Sequence, residues 1–219
     1  MLKRIFEELR HHAPFTIFGA FTGIIIMIFF KRLPANISYK IFYTLHPLHV
    51  MLSALVTASM YGFYRYADGR HRWNFGILLI IGYVGSVGIA TISDSLIPYL
   101  GESLLGMPNR GIHIGFIEEW WLVNPLAVIG IAIAALRPAT KFPHAAHVLL
   151  STWASLFHIM MSLGGRLSWF LYMAIFFFLF IAVWIPCCIS DIVFPLLLVR
   201  DVSERSRSHD QERQTETWE

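Results

Sequence analysis

Apolar residues in this chain do not alternate with polar ones at a period of two. They gather into runs of about 20, the length a helix needs to cross a hydrocarbon layer roughly 30 Å thick. Six such runs stand out, at 14–31, 40–64, 74–98, 120–136, 143–163 and 168–198. The last is long enough to tilt or break, and Pro186 and Pro195 lie near its end. Trp73, Trp120, Trp121 and Trp169 fall at run ends, where amphipathic aromatic rings settle at a membrane boundary. The expected fold is an all-α polytopic membrane protein with six transmembrane helices. The first run reads as a span and not as a cleaved leader, because it is too long and lacks a small-residue cleavage site.

The polar positions inside these runs repeat. His46-Pro-Leu-His49-Val-Met-Leu-Ser53 returns as His144-Ala-Ala-His147-Val-Leu-Leu-Ser151, and Ile92-Ser93-Asp94 with Pro98 and Leu100 returns as Ile189-Ser190-Asp191 with Pro195 and Leu197. A third echo sets Glu7, Glu8, Pro14 and Gly19 against Glu118, Glu119, Pro125 and Gly130, with identical internal spacing. His46 and Asp94 are 48 residues apart, His144 and Asp191 47. Each half holds three runs, and an odd number means the second half enters the membrane from the opposite side. The sequence therefore predicts a 3+3 inverted-topology repeat, a recurring plan of secondary transporters: residues 1–100 as one repeat, 101–198 as the other, and 199–219 as a polar tail of mixed charge, expected to be disordered and cytoplasmic.

Followed along six alternating spans, the motifs predict two sites near opposite faces. His46, His49 and Asp94 would meet Glu118 and Glu119 at one face, with His158 on the same side. His144, His147 and Asp191 would meet Glu7 and Glu8 at the other. Histidines at i and i+3 share a helix face, and imidazole with carboxylate suits a divalent transition metal such as Zn²⁺, Fe²⁺ or Mn²⁺. Carboxylates that bind a cation also escape the cost of an unpaired charge in the apolar phase. His144, His147, Ser151, Ser155, His158 and Ser162 fall on one narrow helical arc, and His46, His49, Ser53 and Thr57 repeat its first steps. Such a stripe either lines a hydrated path or knits helices together, and Ser and Thr can also bond to the carbonyl one turn back. His11, His12, His71 and His113 read as polar anchors at the interface. Cys187 and Cys188, adjacent and unable to bridge each other within a regular helix, read as small core residues.

Composition agrees with the pattern: the chain is 56% hydrophobic and only 14% charged, against roughly 25% charged in soluble domains. The net charge of +3 matters by location. The side holding the N-terminus gathers twelve Lys and Arg, among them Lys3, Arg4, Arg65, Arg137 and Arg200, against five on the other side, Lys31, Arg32, Lys40, Arg110 and Arg166. The positive-inside rule then puts both termini in the cytoplasm of a cell (inner) membrane protein. The basic residues are scattered without interleaved aromatics, which gives no basis for nucleic-acid binding. Membrane lipid and a metal ion are the expected partners, and a homo-oligomer is compatible with the chain.

Three functions fit these features. The leading one is a transporter of a divalent transition metal ion, with carboxylates and histidines exchanging protons for metal. The second is an intramembrane zinc-dependent hydrolase acting on a lipid, in which a metal-activated water is deprotonated by a spare Glu. The third is a b-type cytochrome, with haem held by histidines on different spans.

Overall fold

A computed structural model describes residues 2–67, 75–139, 141–164 and 168–189. These residues are helical with short connections and contain no strand. We number the helices α1 (Leu2–Phe30), α2 (Ala35–Ala67), α3 (Phe75–Leu104), α4 (the single turn Gly115–Glu118), α5 (Trp120–Leu136), α6 (Lys141–Met161) and α7 (Trp169–Cys188). The polarity is that of a protein in lipid. Phe15, Phe18, Phe21, Phe29, Ile80, Trp169 and Phe170 are exposed, while His46, His49, Asp94, Glu102, His147 and His158 are buried. A soluble protein does the reverse with its ionisable residues. Four stretches are long and apolar enough to cross a membrane: Ala13–Phe30, Ala35–Phe63, Phe75–Leu104 and Trp169–Cys187. Of the other two predicted spans, α5 is shorter, and α6 carries the densest set of His and Ser.

Neighbouring contacts fix the helix directions. His49 meets His147 while Phe42 meets His158, so α2 and α6 are antiparallel. Asp94 meets His46 and His49, and Gly82 faces Ala58, so α2 and α3 are antiparallel as well. Gly19 lies against Thr152 and Gly23 against Leu156, which makes α1 parallel to α6. Gly23 also faces Leu179 while Trp184 donates to the Leu9 carbonyl, which makes α7 antiparallel to α1. Gly130 touches Met51, and just past the end of α5 the Ala139 N–H donates to Ser59, so α5 runs parallel to α2. The six long helices thus alternate in direction along the chain.

Two glycine contacts correspond in detail. On α1, Gly19 approaches Leu149 and Thr152 of α6. On α5, Gly130 approaches Met51 and Ala54 of α2, where a Cβ would collide with the Met51 carbonyl. Gly19 and Gly130 are matched positions of the sequence echo, and so are Met51 with Leu149 and Ala54 with Thr152. Small residues here let helix backbones approach closely.

Helix α3 is not a regular α-helix. It contains two π-helical turns, Val84–Gly88 and Ile92–Leu96. The second turn holds Ser93, Asp94 and Ser95, all fully buried. Such bulges recur at functional sites.

Candidate metal centre

The carboxylate of Asp94 organises the interior. Its Oδ2 accepts from His46 Nδ1 at 2.9 Å and from His49 Nδ1 at 2.7 Å. Its Oδ1 accepts from the hydroxyls of Ser93 and Ser151, each at 2.7 Å. Four donors surround two oxygens, and all these residues are buried. Because Nδ1–H points at the carboxylate in both imidazoles, the lone pair of each neutral ring lies on Nε2. A carboxylate behind Nδ1 is the usual support of a metal-binding histidine.

The two Nε2 atoms face different surroundings. That of His46 abuts Gly115, where any Cβ would overlap the ring, and the ring stacks on Phe42 at 5.2 Å. His49 instead stacks on His147 from α6, with ring centroids 5.8 Å apart. His147 Nδ1 donates to the Pro143 carbonyl at 3.3 Å, which gives this ring the same tautomer as His49. Cys187 of α7 completes the group, with the ligand atoms of His49, His147 and Cys187 all within 4.8 Å of one another. His46, His49 and Asp94 satisfy the same distance condition, but the hydrogen bonds assign Asp94 and His46 to support. Two imidazoles and a thiol form a donor set suited to zinc.

The sequence expectation of separate sites at opposite faces differs from this arrangement. His49 and His147, one from each half, meet in a single buried cluster. Helix α2 begins at Ala35 instead of residue 40, so His49 is residue 15 of 33. That is about 21 Å from the helix start at 1.5 Å per residue, against about 14 Å from residue 40. His144 flanks His147 at 5.2 Å between centroids. Asp191 and the side chains of Glu7 and Glu8 lie outside the described residues.

Glu118 and Glu119 do not join Asp94. Glu118 accepts from the Tyr43 hydroxyl at 2.6 Å, from His113 Nδ1 at 3.2 Å and from the Ile114 N–H at 3.0 Å. Partial burial pushes its carboxyl up, but the Tyr43, His113 and Ile114 donors outweigh this and hold it below the usual Glu range. His158 belongs to another pair: its Nδ1 lies 2.8 Å from Oε1 of the buried Glu102.

Two participants escape a reading of the sequence. Cys187 is a ligand candidate that resembles an apolar core residue in every sequence respect. Glu102 lies beyond the predicted end of its span, although Asp94, Pro98 and Glu102 step by four along one helix face. The Ser stripe of α6 ties it to α3 and the connection that follows: Ser151 donates to Asp94, Ser155 to the Ser93 carbonyl at 3.0 Å, and Ser162 to Met107 Sδ at 2.9 Å.

Comparison with known proteins gives no match, whether to a protein family, a curated protein or a solved structure.

Proposed function

We propose that the protein is a membrane transporter of a divalent transition metal ion, zinc above all, and that His49, His147 and Cys187 bind the cargo. The observation that carries this reading is the stacked His49–His147 pair. The two residues occupy the same place in the sequence echo and come from opposite halves. In an inverted repeat, equivalent residues that touch each other lie on the pseudo-two-fold axis in the membrane plane. Cargo sites of secondary transporters lie near the midplane at that repeat interface. The alternating helix directions and the matched contacts of Gly19 and Gly130 support the same six-pass, 3+3 plan. Rocking of one half against the other would separate His49 from His147 and open the site to each side in turn.

A thiol and imidazoles favour zinc over manganese, which prefers oxygen donors. The hydrolase alternative needs a carboxylate free to activate water. Within the described cluster both oxygens of Asp94 are taken up by four donors, which favours transport.

The test is zinc influx into proteoliposomes containing a zinc-sensitive dye. His49→Ala, His147→Ala and Cys187→Ser should each reduce influx at least tenfold, toward that of empty vesicles, while the lipid-facing Met173→Ala keeps wild-type rates. Bound zinc without any flux in the wild type would overturn transport in favour of a resident metal.

A further inference from the structure

We propose that His113 and His158 form a second, outer metal-binding site for the same class of ion, oriented by Glu118 and Glu102. The pair lies at the end of the bundle where α2 begins and α3 ends. The connection after α3 folds back there: the Ser95 hydroxyl donates to the His113 carbonyl, and the Gly111 N–H donates to Glu102 at 3.4 Å.

Three observations carry the assignment. First, the two imidazoles lie 5.4 Å apart between centroids. Two imidazoles on one tetrahedral ion, with metal–nitrogen bonds of about 2.0 Å, hold their centroids roughly 5 Å apart. Second, each ring turns Nδ1 to a carboxylate, His158 to Glu102 at 2.8 Å and His113 to Glu118 at 3.2 Å. This is the support that fixes Nε2 as the metal-binding atom. Third, His158 is buried and its Nε2 has no hydrogen-bond partner. Such an atom normally costs stability, and a metal ion supplies the partner.

The site differs from the central one in ways that suit an outer station. His113 is 27% exposed, whereas His158 is sealed inside. Two protein ligands and no thiol leave coordination positions for water, so the ion is held weakly and exchanges. Eleven residues of α6 separate His158 from His147, about 16 Å along the helix. Phe42 stands between the two centres, stacked on His46 and edge-on to His158 at 5.4 Å. The ion would pass this ring on its way in. That role rests on the transport reading, but metal binding at His113 and His158 does not.

Cobalt titration of the purified full-length chain tests the proposal, because only the Cys187 centre gives a thiolate-to-cobalt charge-transfer band. The wild type should bind two Co²⁺. His113→Ala and His158→Gln should each bind one and keep the band, which also reports an intact fold. Glu102→Gln should weaken the second equivalent about 10–100-fold. Cys187→Ser should lose the band and keep the second ion. One equivalent in a wild type that shows the band, or two in both histidine variants with the band present, overturns the outer site while the central one stands. No band, together with a cobalt ion lost in His158→Gln, overturns the central site and leaves the outer one.

Discussion

At the residue scale, Asp94 is the group on which the proposed centre depends, as support for His49 and not as a ligand. Its Oδ2 receives both His46 and His49. Asparagine at 94 would have one carbonyl oxygen for four donors and would turn an N–H₂ toward an N–H or O–H. Asp94→Asn should therefore weaken cobalt binding at the central site about 10–100-fold, the usual effect of losing such support. The thiolate band should keep its position, because the ligands are unchanged. Unaltered affinity would show that the carboxylate does not orient His49. Asp94→Ala should also destabilise the fold, by about 3–5 kcal/mol for a broken buried pair, seen as a lower melting temperature in detergent. His46, His49 and Asp94 were legible in the sequence because ionisable residues at helical spacing are conspicuous in apolar runs. Cys187 was not, since a cysteine among Ile, Val and Trp carries no mark that separates ligand from filler.

At the element scale, the apolar runs announced every long helix, but not how far each extends or where α3 widens. Helix ends in lipid are set by caps and turns outside the runs, as with Pro34, whose carbonyl accepts the Ile37 and Ser38 N–H groups at the start of α2. The five residues gained there place His49 about 21 Å from the helix start instead of about 14 Å. The π turns of α3 have no signature in the apolar pattern. The close approach of α5 to α2 rests on Gly130, a position the sequence echo had marked. A methyl group at Gly130 would strike the Met51 carbonyl, and backbone cannot rotate away as a side chain can. Gly130→Ala should thus cost about 1–3 kcal/mol by overpacking. Gly88→Ala, with nothing within 4 Å of the added atom, should stay within about 1 kcal/mol of wild type. Thermal melts of the two variants side by side check this, and equal melting temperatures would contradict the contact.

At the scale of the whole molecule, the number of membrane crossings decides whether the two halves are inverted with respect to each other. Length and hydropathy qualify four helices, yet α6 lies antiparallel to α2 at the centre of the bundle and holds His147, Ser151 and His158 on buried faces. A helix surrounded by other helices need not be apolar, because its partners and not lipid solvate its polar groups. A criterion of length and hydropathy therefore passes over α6, whose polar residues face neighbouring helices. The six-pass arrangement makes a definite prediction. Reporters inserted or fused after residues 34 and 112 should lie on one side of the membrane, and those after residues 67 and 139 on the other. With the Lys and Arg distribution of this chain, 34 and 112 are the outer positions. Paired phosphatase and fluorescent-protein fusions read this directly, the first active only outside and the second only inside. If fusions after 112 and 139 report the same side, α5 does not cross. The halves would then not be inverted with respect to each other, and the meeting of His49 with His147 would lose its meaning as a symmetry axis.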